Sequence, residues 1–251
     1  KEVIKRITDE GKTVTLNLFA NDLWQFDSYS AQWAPCFTWV ATDEASFVRK
    51  YHQIGYKNVL INHWACNPRV HKKLNLDYKF DVTFIGQAYG NRKGIMRGLK
   101  KKGIAIDAFG RGFKTGKVSW SKMIEIFNTS KINLNISEVV NKLKFFRFSP
   151  AFLQPVSTGT KHFQLKARIF EVTGSGGFLL TTYGEPLKRY FKLGKEIETF
   201  RNLEELVEKV KYFLENDRKR EKIAKAGYQR VQNEHTYEKR FNEIFSKIGV
   251  L

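Results

Sequence analysis

Apolar positions in this chain fall into two alternating patterns. Residues 82–86, 104–109 and 132–136 are short, nearly continuous apolar runs, while residues 92–102 and 121–128 between them space their apolar side chains as a helix does. Continuous short runs separated by amphipathic helices predict parallel strands buried on both faces of a sheet. The same alternation opens the chain: a charged helix over 1–10, strands over 13–19 and 37–41, a helix over 44–53 ending at Gly55, and a strand over 59–62. After residue 178 the pattern predicts strands over 178–182 and 196–199, then helices over 203–215, 218–234 and 237–247. Asn202 is the expected N-cap of the first of these helices, with Glu205 at capping-box spacing. The polar stretch NPRVHKKLNLDYK, residues 67–79, reads as a linker. The expected organisation is therefore α/β: Rossmann-like parallel sheets flanked by helices, in a short unit over 1–67, a linker over 68–79 and a larger unit over 80–251. The last helix is expected to pack back on the first unit.

A chain of 251 residues with 42% apolar content can bury a real core. It contains no apolar run of eighteen residues, and its first ten residues are charged rather than a signal-peptide core. Cys36 and Cys66 stand far apart without CxxC spacing, so neither a disulfide framework nor a zinc site is expected, and a reducing cytoplasm is the default compartment. No cofactor and no metal motif is evident. The formal net charge is +19, and residues 81–168 carry 17 Lys and Arg against 4 Asp and Glu. Such a field suits polyanions: nucleoside diphosphates, an anionic membrane surface or DNA. A solvated basic surface explains the same composition.

The stretch QLKARIFEVTGSGGF, residues 164–178, gathers candidate chemistry most densely. Leu165, Ile169 and Val172 recur at helical spacing, leaving Lys166 and Arg168 off the buried stripe. Gly174, Gly176 and Gly177 then end the helix and permit close backbone approach. Two cations with glycine backbone suit a diphosphate, and the lone carboxylate of Glu171 suits sugar hydroxyls. A nucleotide-sugar site is one reading; an ordinary helix, glycine cap and strand is the other.

Residues 166–240 resemble the C-terminal half of the CgeB-like (spore maturation protein type) glycosyltransferases, which are similar to the wider GT-B group. RIFE at Arg168–Glu171, GKEI at Gly194–Ile197 and HTYEKR at His235–Arg240 carry the resemblance. Upstream, FDVTFIGQAYGNRKGIM at Phe80–Met96 and SKINLNIS at Ser130–Ser137 resemble strands of the same domain. The resemblance implies a GT-B-like fold, a nucleoside-diphosphate sugar as donor substrate, and Glu171 as the residue that binds the donor's ribose hydroxyls. It also implies that the first unit is a short or truncated acceptor-side domain. The retaining branch of the group has a glutamate eight positions before this one; here that position is Phe163.

Further donor-binding candidates follow from the same frame. Arg92 in GNRKG lies after the strand over 82–86, with Gly86 and Gly90 keeping the loop open, and a helix N-terminus there favours anions. Gly110, in FGRG at 109–112, closes the next strand at the sheet edge where open α/β sheets bind ligands, though an ordinary turn reads the same way. The expected donor set is Glu171, Arg168, Lys166, Arg92, Gly86, Gly110, Gly176 and Gly177. Asp22 and His63 are the alternative catalytic candidates for a general base on an acceptor hydroxyl, and both also have structural readings. Residues 141–162 interleave Lys142, Lys144, Arg147 and Lys161 with phenylalanines, a candidate acceptor or polyanion surface for single-stranded nucleic acid or anionic lipid, or a packed insertion. The expected function is transfer of a sugar from a nucleoside-diphosphate sugar, without metal, to an acceptor hydroxyl of a glycan, lipid-linked molecule or nucleic acid. A nucleic-acid-binding or DNA-glycosylating protein and a non-catalytic nucleotide-sugar-binding module are the alternatives.

Overall fold

The computed structural model describes residues 1–137, 139–140 and 162–250. The first sheet is built from β1 (Leu16–Phe19), β2 (Trp39–Thr42) and β3 (Val59–Ile61), all parallel and in chain order. Helix α1 (Glu2–Asp9) precedes it, and α4 (Ala45–Gln53) links β2 to β3. Between β1 and β2 the chain makes a helical run that its periodicity does not predict: α2 (Asp22–Gln25), a π turn (Phe26–Ser30), α3 (Ala31–Trp33) and a 3-10 turn (Ala34–Cys36). Aromatic packing holds it in place. The Phe26 ring meets Tyr51 of α4 edge-on at 4.9 Å, and Tyr29 meets Phe19 of β1 at 6.0 Å.

The second sheet contains β4 (Phe80–Ile85), β5 (Asp107–Phe109), β6 (Ser130–Asn135), β9 (Leu179–Thr182) and β10 (Glu198–Phe200), with the two-residue antiparallel pair β7 (Val139–Val140) and β8 (His162–Phe163) outside it. Its strands are all parallel, in the order β10-β9-β6-β4-β5. Helices α5 (Arg92–Lys101), α6 (Trp120–Thr129), α7 (Ala167–Gly174), α8 (Leu203–Glu215) and α9 (Asp217–Glu234) cover it, and α10 (Tyr237–Lys247) ends the chain. One face buries Val82, Phe84, Ile132 and Leu134 against Leu99, Leu206, Val210 and Phe213. The other buries Leu179 against Phe127, Ile169, Val172 and Val231. Burial of each such side chain contributes about 1.5–3 kcal/mol, so two covered faces fix the sheet. On the second face β4 and β6 carry polar side chains with partners: Thr83 donates to Ser130 Oγ at 2.9 Å, and Asn133 to the Phe127 carbonyl at 3.0 Å.

Several strand limits shift by one to three residues from the periodicity, and for two of them the cause is visible. Strand β5 begins three residues later than expected, because the Ile104 amide closes the end of α5 on the Leu99 carbonyl at 3.0 Å and its side chain enters the core. Strand β10 starts at Glu198, since the Glu196 carboxylate caps the Lys192 amide at 2.7 Å in the preceding turn. The Asn202 cap forms as expected, accepting from the Glu205 amide at 2.8 Å, while the Glu205 carboxylate reaches the Arg201 amide one residue further back.

The two halves are tied where the chain returns. The Cys66 amide donates to the His235 carbonyl and the Tyr237 amide donates to the Cys66 carbonyl, each at 2.9 Å, so residue 66 is stitched to the junction of α9 and α10. Among the described residues no helix is long and apolar enough to cross a membrane.

Helix α9 passes so close to the rest of the sheet unit that a Cβ on Gly227 would overlap the Glu196 carbonyl oxygen. In a helix interior, Gly→Ala ordinarily stabilises by about 1 kcal/mol. Gly227→Ala is expected to do the reverse, lowering stability by about 1–3 kcal/mol through overpacking, as measured by urea denaturation.

Candidate functional site

Strand β4 has β5 on one side and β6 on the other, so the chain reverses direction across the sheet between β4 and β6. In open α/β sheets ligands bind in the crevice beyond the carboxyl ends of the strands at such a point. Arg92, the first residue of α5, sits there with its guanidinium buried. It donates to the Gln87 carbonyl at 2.9 Å and to the Ile136 carbonyl at 2.8 Å, joining the loop after β4 to the end of β6. Its flat face lies over the Tyr89 ring at 4.1 Å. Gly86 and Gly110 let the neighbouring loops touch: the Gly86 amide donates to the Phe109 carbonyl, and a Cβ on Gly110, whose φ is +129°, would overlap the Gly86 carbonyl. Beside them opens a cavity of about 240 Å³ lined by Gly86, Gly110, Arg111, Trp120 and Arg168. Trp120 is 65% exposed there. A second hollow of about 740 Å³, on the other side of Arg92, reaches Trp24 of the first half.

Helix α7 aims its N-terminus at the same crevice. Lys166 is its N-cap residue without a side-chain cap, and its ammonium donates to the Gln164 side chain. Arg168, in the first turn, ion-pairs with Glu171 at 2.7 Å and lies over the Phe127 ring at 5.2 Å. Glu171 is only 8% exposed. Burial lowers the proton affinity of Lys166, Asp43 opposes that, and the positive field of Arg92 adds to the lowering. Arg168 behaves alike: burial lowers it, Glu171 opposes, and Arg92 again adds to the lowering. Arg92, at the head of α5, therefore shares one field with Lys166 and Arg168, at the head of α7, more than seventy residues later.

Gly176 and Gly177 lie elsewhere. They follow the C-terminus of α7, at the amino edge of the sheet, and there they serve packing. A Cβ on Gly176 would press on the Lys73 side chain, and one on Gly177 on the Phe127 carbonyl and Asn133. A helix antiparallel to the strands puts its two ends on opposite sheet edges, so these glycines cannot reach a ligand bound by Lys166 and Arg168. Gly174 is equally committed, since a Cβ there would overlap Cys66 Sγ.

The facing wall comes from the first half. Asp22 does follow β1 at a carboxyl edge, but it is 0% exposed, accepts from the Tyr51 hydroxyl at 2.9 Å, and lines none of these cavities. The cavity-facing positions belong to Asp43 and Glu44, after β2, which line a hollow of about 500 Å³ together with His63, Phe163, Leu165 and Arg189. Asp43 is bridged to the α7 side by the Gln164 amide, which donates to its Oδ2 at 3.3 Å. Burial pushes the Asp43 carboxyl up to about 6, against the Gln164 hydrogen bond, with Asp22 adding to the rise. Burial also pushes Glu44 up to about 7, with Asp43 adding to it. His63 is driven the other way, down to about 4, by burial and then by Arg240 and Arg189, so its ring is neutral near pH 7. The rule that marks Asp22, a carboxylate just after a strand, applies equally to TDE at 42–44 and could have found this pair. Lys142, Lys144, Arg147 and Lys161 fall outside the described residues.

Residues 92–246 match the model of a family described as glycosyl transferase-like. No curated protein sequence matches the chain. In three dimensions the chain is similar to Alr3699/HepE of Anabaena in complex with UDP-glucose, with TM-score 0.66 and 10% identity, covering 100% of this chain and 76% of that one. It is similar to sucrose-phosphate synthase from Thermosynechococcus elongatus, with TM-score 0.64 and 10% identity over 97% of this chain and 70% of that one. It also resembles a single-residue mutant of S. aureus TarM, with TM-score 0.62 and 10% identity over 88% and 45% of the two chains. The shared architecture is the GT-B fold.

Asp43 and Glu44 hold protons more tightly folded than unfolded, so their contribution to stability is present at low pH and is lost as pH rises through about 6 to 7. The Asp43→Asn, Glu44→Gln variant is expected to match wild type near pH 4 and to exceed it by on the order of 2 kcal/mol at pH 8. Chemical denaturation of both proteins at each pH cancels the opposing titration of His63.

Proposed function

This chain belongs to the glycosyl transferase-like family, whose model its residues 92–246 match, and we propose that it transfers a sugar from a nucleoside-diphosphate sugar to an acceptor hydroxyl. The RIFE, GKEI and HTYEKR blocks support the CgeB-like type within that family. The observation that carries the reading is the electrostatic grouping of Arg92, at the head of α5, with Lys166 and Arg168, at the head of α7, and the Asp43 carboxylate across the crevice. Cations and helix N–H groups in a desolvated crevice stabilise charge that develops on a departing diphosphate.

In this reading Glu171, one turn into α7, receives the ribose hydroxyls, exchanging part of its ion pair with Arg168 for them. Trp120 offers its exposed face to the base. Asp43 is the general base. The acceptor hydroxyl's proton passes to the Asp43 carboxylate as the acceptor oxygen bonds to the anomeric carbon. The bond from that carbon to the diphosphate oxygen breaks with its electron pair left on the diphosphate. A direct displacement of this kind inverts the anomeric centre. The three cations take the place a divalent ion would have at the diphosphate, and turnover is expected to survive EDTA. HepE, which binds UDP and UDP-glucose, makes those two molecules the first donors to test.

Glu171→Ala is expected to weaken UDP binding by about 1.5–3 kcal/mol, the range for hydrogen bonds to a charged group, in isothermal calorimetry with the fold retained by circular dichroism. Arg168→Ala is expected to weaken UDP far more than uridine, since only UDP carries the charge; equal losses would make its role structural.

Asp43→Asn is expected to lower kcat by about 10²–10⁴-fold while UDP affinity holds. In wild type the rate should rise with pH through about 6, as the base loses its proton. A variant that keeps the wild-type rate and pH profile removes Asp43 from the chemistry.

A further inference from the structure

The cavity behind Asp43 contains more unmet hydrogen-bonding capacity than a packed interior tolerates. Asp43 is 5% exposed and His63 8%. Asp43 Oδ1 and both ring nitrogens of His63 find no partner among the described residues, and both residues line the same hollow of about 500 Å³. Each buried polar atom left unpaired costs about 1–3 kcal/mol. Such a concentration in one cavity marks a place completed by a ligand.

The lining specifies the ligand's chemistry. A neutral imidazole presents one donor and one acceptor, and a carboxylate oxygen presents an acceptor. A hydroxyl group, which both donates and accepts, satisfies either. Between these polar groups lie the apolar surfaces of Phe163, Leu165 and Pro186, with the Phe163 ring held against the backbone of Gly184. Hydroxyl-rich edges beside an apolar C–H face describe a pyranose ring. Charge argues against a polyanion: Glu185 is paired with Lys188 at 2.9 Å, which leaves the carboxyl groups of Asp43 and Glu44 against Arg189 on the walls. A phosphodiester chain or an anionic headgroup would meet those carboxylates directly.

We infer that this cavity is the acceptor subsite and that the group it accepts is an uncharged sugar, presented with one hydroxyl toward Asp43. The assignment rests on the glycosyltransferase reading above and narrows its acceptor from glycan, lipid-linked molecule or nucleic acid to a sugar unit.

The test uses saturation-transfer NMR on the full chain held in excess UDP, with the methyl glycosides of glucose, galactose, mannose and N-acetylglucosamine as probes. A short DNA duplex and phosphatidylglycerol vesicles form the competing arms. At least one methyl glycoside is expected to bind wild type and to lose about tenfold in affinity, equivalent to about 1.4 kcal/mol, in His63→Leu. Ser46→Trp, which places a bulky ring at the cavity mouth from an exposed position on α4, is expected to abolish the signal and covers the case in which His63→Leu fails to fold. Calorimetry should show UDP affinity within about twofold of wild type in both variants, far below the tenfold step of 1.4 kcal/mol. Wild type that binds UDP but none of the glycosides overturns the inference alone, as does glycoside binding that survives Ser46→Trp. DNA or vesicle binding that Ser46→Trp abolishes also overturns it. Wild type that binds no UDP overturns the donor reading on which the inference stands.

Discussion

The Arg92 guanidinium joins the two loops between which a ligand crevice must open. One nitrogen donates to the Gln87 carbonyl and another to the Ile136 carbonyl, so the loop after β4 and the end of β6 are held at a fixed separation. Because the group is buried, its charge is poorly screened by water, and it reaches Lys166 and Arg168 on α7. The sequence pattern marks Arg92 only as a diphosphate ligand. In the fold it ties together the loops that flank the crevice and contributes to its charge. Its carbonyl bonds explain how a buried cation is tolerated, since hydrogen bonding offsets part of the desolvation cost.

The opposite wall has the reverse character. Asp43 and Glu44 are carboxyl groups taken out of water, near each other and near Asp22, with the Gln164 amide as a bridge to the cationic side. Burial raises their proton affinity toward neutrality, which is the range in which a general base works best. The crevice is thus polarised from one wall to the other. Charge separation of this kind favours a reaction that moves a proton to one wall and negative charge to the other. It also costs stability at neutral pH, a common feature of sites organised for chemistry rather than for folding.

Much of this is legible from the sequence, because the parallel βα topology dictates which loops share an edge. Lys166, Arg168, Arg92, Gly86 and Gly110 are expected together once the strands over 82–86 and 104–109 are recognised. Gly176 and Gly177 are misread because a glycine cluster after a helix looks the same whether it admits a ligand or a neighbouring side chain. Only the direction of α7 relative to the sheet decides between them. Asp22 is legible as an edge residue but not as a buried partner of Tyr51, a contact spanning 29 residues that no local pattern encodes. Asp43 and Glu44 are within reach of the same edge rule, yet the pattern alone does not rank them above Asp22. The helical run between β1 and β2 depends on aromatic contacts with α4 and has no strong period of its own.

In the proposed mechanism the donor's diphosphate rests on the N-terminus of α7, near Arg92, Lys166 and Arg168, with its ribose on Glu171. A crystal structure of the chain soaked with UDP tests this most directly. Difference density is expected with the ribose hydroxyls within hydrogen-bond distance, about 2.6–3.2 Å, of the Glu171 carboxylate. The phosphates should lie on the first-turn amides of α7. Nucleotide density that contacts neither Glu171 nor the head of α7, for instance wholly inside the hollow beside Trp24, would contradict it.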